Sequence, residues 1–241
     1  MGNVDVHRLT VAARRRPRAV LLDALGTLLE LEQPAAPLRR ELRERFALEV
    51  TEAQAGEAVA REIAYYRAHH DEGRDHAALA MLRRRCAAEL RSALPAPAGD
   101  LPLGALSDAL MAALTFRPYP DSAPALRALR ARGIRLVVVS NWDVSLHEVL
   151  ARTGLGSLVH GAITSAELGS GKPGAAIFRH ALTIAGVPAF AALHAGDSYA
   201  ADVLGARAAG IEPVLVARDG REAPDGVAVV RTLAELASAV G

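Results

Sequence analysis

Four short stretches of this chain carry residues able to do chemistry together. The first is RAVLLDALGTLLE, Arg18–Glu30, in which the apolar run Ala19–Leu22 ends on Asp23 and continues into Ala24, Leu25, Gly26 and Thr27. A carboxylate beside a glycine turn, whose backbone N–H groups can cradle an anion, is placed to act as a nucleophile. On that stretch alone, an aspartate capping a strand–turn serves equally well. The second stretch holds Ser140, Asn141, Trp142 and Asp143, and the third is Gly169-Ser170-Gly171-Lys172-Pro173. The fourth is His194-Ala195-Gly196-Asp197-Ser198, with Asp202 closing GDSYAAD. Carboxylate oxygens suit Mg²⁺, which keeps waters and takes one or two protein carboxylates. Ser140 and Lys172 suit a phosphate or a carboxylate. Each stretch alone is weak, since Lys-Pro after a glycine commonly starts a helix and Gly-Asp commonly makes a turn. Their order, each at the end of a predicted strand, makes them a set.

The elements that must position these groups read as α/β. Bulky apolar runs bounded by turn chemistry predict buried strands at Ala19–Leu22, Ile134–Val139, Val159–Ile163, Phe190–Ala195 and Pro213–Ala217. Helical spacing alternates with them over Ser122–Gly133, Ser145–Thr153, Gly174–Gly186, Tyr199–Gly210 and Thr232–Val240. Alternating strands and helices predict a parallel sheet, and the first strand must join it. The strand C-termini then lie on one edge, where open α/β sheets hold ligands, so the chemical stretches converge there. From about Leu38 to Phe116 no strand is predicted. Pro37–Leu48, Thr51–His70 with Thr51 as N-cap, Arg74–Leu94 and the stretch around Leu106, Leu110 and Leu114 all have helical spacing. This is a helical block inserted directly after the Asp23 turn.

Composition excludes several classes. The chain has 241 residues, 51% hydrophobic and 23% charged, so it buries a core. A net charge of +1 and few aromatic residues give no field or stacking platform for nucleic acid, and no pull toward an anionic membrane. No apolar run reaches the roughly 20 residues of a membrane span, and the N-terminus lacks the apolar region of a secretory signal. The single cysteine, Cys86, excludes an internal disulfide and fits a reducing, cytoplasmic setting. Arg14, Arg15, Arg16 and Arg18 read as a solvated flexible lead in preference to a nucleic-acid arm. His69, His70 and His76 have no zinc pattern around them.

With these residues in hand, the sequence resembles a known family. DALGTL, the SN of VVVSNWD, the K of GSGKP and GDSYAAD match, in order, the four motifs of the haloacid dehalogenase (HAD) superfamily. The resemblance runs from about Arg18 to Asp219. The helical insertion looks like the cap of subfamily I. SNWD, KP..IF, H.GD and D.LGARAAG resemble the subfamily IA hydrolases related to rhythmically expressed gene products. The expected architecture is a Rossmann-like, three-layer α/β core with a parallel sheet over residues 17–33 and 117–241. A helical cap over 34–116 and a basic lead over 1–16 complete it.

The resemblance implies roles. Asp23 would be the nucleophile that forms a covalent intermediate. Ser140, with the Asn141 backbone, would hold the transferring group, and Lys172 would neutralise charge on Asp23 and on the substrate. Ala24, Leu25 and Gly26 would supply the anion-cradling turn. Asp197 would ligate Mg²⁺ with Asp23 and the Leu25 backbone carbonyl, and Asp202 would support the metal directly or through water. Arg67 and Arg74 on the cap are candidate contacts to an anionic substrate, although a solvated helix face is the simpler reading of both.

Leu25 departs from the pattern of the family's phosphatases, which place a general acid–base aspartate there. Dehalogenases also lack that aspartate, but they tend to lose the acidic fourth motif that is kept here. The expected function is a Mg²⁺-dependent phosphatase acting on a small phosphorylated metabolite, slow for want of the acid. A 2-haloacid dehalogenase and a catalytically weak binding protein are the alternatives. A monomer or homodimer is expected.

Overall fold

The computed structural model describes residues 16–222, 224 and 226–240. The basic lead expected over 1–16 lies outside these residues, except for Arg16. In chain order the strands are β1 (Ala19–Leu22), β2 (Leu29–Leu31), β3 (Phe116–Pro118), β4 (Arg135–Ser140), β5 (Gly161–Thr164), β6 (Ala192–Gly196), β7 (Glu212–Val216) and β8 (Ala228–Val230). Contacts divide the chain into two compact units: residues up to Glu30 with those from Pro118 onward, and Leu31–Arg117.

The Leu31–Arg117 unit is helical: α1 (Ala35–Phe46), α2 (Glu52–His69), α3 (His76–Ala93) and α4 (Leu103–Ala113). Helix α2 opens on Thr51, whose side chain accepts the Gln54 N–H while the Gln54 side chain takes the Thr51 N–H, a reciprocal capping box. Helix α3 begins at His76, two residues later than the spacing suggested. Asp75 caps it by accepting the Ala78 N–H at 2.8 Å. Leu38, Leu42, Val59, Leu82, Cys86, Leu90, Leu106 and Leu110 form the core of this unit, each large side chain worth about 1.5–3 kcal/mol on burial. His69 stacks on Tyr65 and His70 bonds Asp71.

The other unit is built on a six-stranded sheet in the order β5-β4-β1-β6-β7-β8, parallel at every pairing. Its helices are α5 (Ser122–Ala131), α6 (Leu146–Arg152), α7 (Ser165–Leu168), α8 (Ala175–Ala185), α9 (Leu204–Ala208) and α10 (Leu233–Ala239). Every residue of β1 is fully buried, as the central strand of a sheet covered on both faces must be. Ala19, Leu21, Val137, Val139 and Ile163 form one face and pack on Ile177, Phe178, Ala181 and Leu182 of α8. Helix α5 packs on β4 and on α10. This is the three-layer α/β fold expected from the alternation of strands and helices.

Three features were not legible beforehand. Strand β8, and the β2–β3 pair that forms a second sheet, have three residues per strand, too few to show an alternation. The helix expected over Tyr199–Gly210 instead opens as a π-helical turn at Tyr199–Val203 before α9. Both the Asp202 and Val203 N–H groups reach back to the Ser198 carbonyl, at 2.8 and 3.3 Å. Such widened turns are frequent at functional sites. Among the described residues, no helix is long and apolar enough to cross a membrane.

Candidate active site

The sheet register fixes the site. Leu22 lies level with Val138 of β4 and Ala195 of β6, so Asp23 emerges beside the last residues of both neighbours. Its N–H is held by the Ala195 carbonyl at 3.0 Å. The chain then turns tightly: the Leu28 and Leu29 N–H groups both bond the Ala24 carbonyl at 2.8 Å. Gly26 sits in this turn at φ +82°, and a Cβ there would come within 2.5 Å of the Asp197 carboxylate. Only glycine satisfies both the backbone angle and that close approach.

Ser140, the last residue of β4, donates its hydroxyl to Asp23 Oδ1 at 3.0 Å. Lys172 Nζ donates to the same oxygen at 2.5 Å and to Asp202 Oδ1 at 2.6 Å. Lys172 is the only lysine in the chain, against 27 arginines. Asn141 holds its backbone: the amide Nδ2 donates to the Lys172 carbonyl at 2.9 Å, and Oδ1 accepts the Lys172 N–H at 2.7 Å. Asp202, on the π-helical turn, also accepts the Ser198 N–H on Oδ2 and faces His194 Nε2 at 2.9 Å. Asp23, Lys172 and Asp202 are all buried. Asp197 is partly exposed, and Arg221 donates to its backbone carbonyl at 2.9 Å.

The structure thus brings Asp23, Ser140, Lys172, Asp197 and Asp202 to one sheet edge, with the Ala24–Leu25–Gly26 turn beside them. Asn141 is adjacent, and its side chain is spent on Lys172. Arg67 and Arg74 are exposed residues of the helical unit. Asp143 is buried and bonds the Ser145 N–H, while Glu30 is exposed. The clamp by Asn141, the Arg221 contact and the His194–Asp202 bond were not foreseen. One signal was available for the last: two residues before Gly196 on a strand is the same face.

The charges do not balance. Burial pushes the Asp23 carboxyl above its ordinary value, and the nearby Asp202 adds to this against the pull of Lys172. Burial opposes the Lys172 ammonium, but Asp23 and Asp202 outweigh it and hold its pKa above the usual lysine value. Burial also works upward on Asp202, yet Lys172 and His194 prevail and keep it well below the usual carboxylate range. Asp197 is pushed up to about 6 by burial and by Asp23 and Asp202, only partly offset by Lys172 and Arg221. Three carboxylates whose oxygens lie within 4.8 Å of one another share one ammonium. This hard-oxygen set, short of positive charge, fits a small divalent cation. It is the one such cluster of metal-ligating side chains among the described residues.

A parallel α/β sheet with carboxylates, a serine and a lysine gathered at its C-terminal edge defines a hydrolase-type site. The sequence model for haloacid dehalogenase-like hydrolases matches residues 17–210, and the chain belongs to that family. Among curated relatives, haloacid dehalogenase-like hydrolase domain-containing protein 3 of Bos taurus is 40% identical over 103 residues, 43% of this chain and 41% of that protein. The glyceraldehyde 3-phosphate phosphatase of Methanopyrus kandleri is 36% identical over 104 residues, 43% of this chain and 45% of that one. The chain therefore spans less than half the length of these two relatives. A solved HAD phosphatase from Thermococcus onnurineus superposes with a TM-score of 0.65 at 26% identity, covering 93% of this chain and 98% of that one.

Proposed function

We propose that this HAD-like hydrolase is a phosphatase of small phosphorylated metabolites that works through an aspartyl-phosphate on Asp23. One observation carries the reading: the buried Asp23 carboxylate is bracketed by Ser140 and Lys172 and stands beside two further carboxylates. Burial works against the Asp23 anion, and the Lys172 ammonium at 2.5 Å pulls toward it. A carboxylate oxygen of Asp23 bonds to phosphorus, and the bond to the alcohol oxygen breaks. The electron pair leaves on that oxygen, which takes a proton from water. A second water then attacks the phosphoryl group, releases phosphate and regenerates Asp23. Lys172 and Ser140 hold the phosphoryl oxygens during both steps, and the backbone turn at Ala24–Gly26 adds donors. Asp23, Asp197 and the Leu25 carbonyl would hold a Mg²⁺, with Asp202 supporting it directly or through water; the ion supplies charge neutralisation of the transferring group. On the helical unit, the exposed guanidinium groups of Arg67 and Arg74 suit a substrate anion.

Leu25 favours one second reading. A halide leaves carbon without a proton, so a leucine in the acid's place suits a 2-haloacid dehalogenase. The acidic cluster weighs against it, because displacement of a halide has no use for a divalent cation. A screen of phosphorylated metabolites and 2-chloropropionate, with Mg²⁺ and with chelator, separates the two. Chelator-sensitive phosphate release is expected. Chloride release that ignores chelator and outpaces phosphate release overturns the reading. Absence of both leaves a binding protein.

A further inference from the structure

His194 stands out among the buried polar residues. It is the middle residue of β6, fully buried, level with Leu21 of β1 and Pro213 of β7. The ring of Phe178 meets it edge-on at 4.9 Å. An aliphatic side chain would suit such surroundings. The imidazole makes one polar contact there, Nε2 to Asp202 Oδ1 at 2.9 Å, and its Nδ1 is buried with no hydrogen-bond partner. An unsatisfied buried polar atom costs about as much as a hydrogen bond to a charged group returns. Stability therefore gives no net reason for a histidine at this point.

Its partner supplies one. Oδ1 of Asp202 already accepts from the Lys172 ammonium, so towards His194 it acts as an acceptor and Nε2 is the donor. Asp202 then receives three donors: His194 and Lys172 on Oδ1, and the Ser198 N–H on Oδ2. Together they stop the carboxylate from rotating. Lys172 needs such an anchor. Asn141 fixes its backbone, but four rotatable bonds separate that backbone from Nζ, and the ammonium sits where Asp23 and Asp202 hold it. Donors that hold a working side chain from behind in this way commonly govern the groups that touch the reaction.

We propose that His194 is a positioning residue: its Nε2–H fixes the buried carboxylate of Asp202, which sets the Lys172 ammonium against Asp23. The role rests on the phosphatase reading only in that Lys172 serves a reaction at Asp23. The chain's single lysine makes the test direct, because ¹⁵N-lysine labelling gives one ammonium signal, that of Lys172. His194→Leu keeps the apolar packing and removes the donor, while His194→Gln returns an N–H close to where Nε2 stood. Circular dichroism confirms that both are folded. In His194→Leu the ammonium signal shifts or broadens, and kcat on nitrophenyl phosphate with Mg²⁺ falls about 10–100-fold with little change in KM. In His194→Gln both return toward wild type. A folded His194→Leu protein with the wild-type ammonium signal overturns the proposal, as does one with wild-type kcat. If the wild-type protein releases no phosphate, the phosphatase reading fails by itself, and the ammonium signal alone decides for or against His194.

Discussion

At the scale of single residues, Leu25 sets the sharpest expectation. It follows Asp23 by two positions and is partly buried in the turn. General acid–base help is worth roughly 10²–10⁴ in rate, about 3–5 kcal/mol of barrier at 1.36 kcal/mol per tenfold. Poor leaving groups need it most. The native protein should therefore show a steep dependence of rate on leaving-group pKa. Leu25→Asp should flatten that dependence and raise turnover of an alkyl phosphate more than that of nitrophenyl phosphate. Burial would raise the new carboxyl's pKa, which suits an acid. A folded variant that gains nothing on the alkyl phosphate would show that the missing acid is not what limits this protein.

At the scale of elements, helices α2 and α3 hold a titratable group where a hydrophobic one would pack. Glu62 is 3% exposed. Burial raises its carboxyl above the ordinary 4.5, and a hydrogen bond from Cys86 offsets this only in part. The folded state therefore holds the proton more tightly than the unfolded chain. The stability this contributes is fully present below the unfolded value and is lost as pH rises through the folded one. At neutral pH Glu62 is a net burden. Glu62→Gln keeps the shape and an acceptor for Cys86 and should gain about 0.5–2 kcal/mol at pH 7. The gain should fade as pH drops below the ordinary glutamate value. Urea melts across that range check it, and a gain that grows toward acid pH would contradict the account. Elements also show where the sequence stopped being informative. The strands with continuous apolar runs, such as Ala19–Leu22, were legible because burial on both faces leaves only that pattern. The three-residue strands and the π-helical turn were not, since neither changes the spacing of apolar residues over a readable window. The convergence of Asp23, Ser140, Lys172 and Asp202 followed from strand ends sharing an edge. The side-chain bonds did not: Asn141 and Lys172 are 31 positions apart, and no local pattern links them.

At the scale of the whole molecule, a net charge of +1 hides a concentrated local excess of negative charge. Asp23, Asp197 and Asp202, set against Lys172 and the more distant Arg221, leave the sheet edge acidic, and a cation bound there would act on folding as well as on chemistry. An ion that binds only the folded state stabilises it by about 2.7 kcal/mol at a concentration of 100 times its Kd. Mg²⁺ should raise the Tm of the wild-type protein. Asp197→Asn removes the carboxylate that burial and its neighbours push up to about 6, and should lose most of that rise. An equal rise in both proteins would place the ion elsewhere.

Attack of Asp23 on phosphorus would leave a covalent mark that can be trapped. The most direct measurement mixes the protein with Mg²⁺ and acetyl phosphate, a substrate whose leaving group needs no acid, and quenches in acid within a turnover. Mass spectrometry of the peptide containing Arg18–Glu30 should then show the gain of one phosphoryl group on Asp23, absent from Asp23→Asn. Phosphate release with no phosphorylated peptide at any quench time, or turnover that survives in Asp23→Asn, would contradict it.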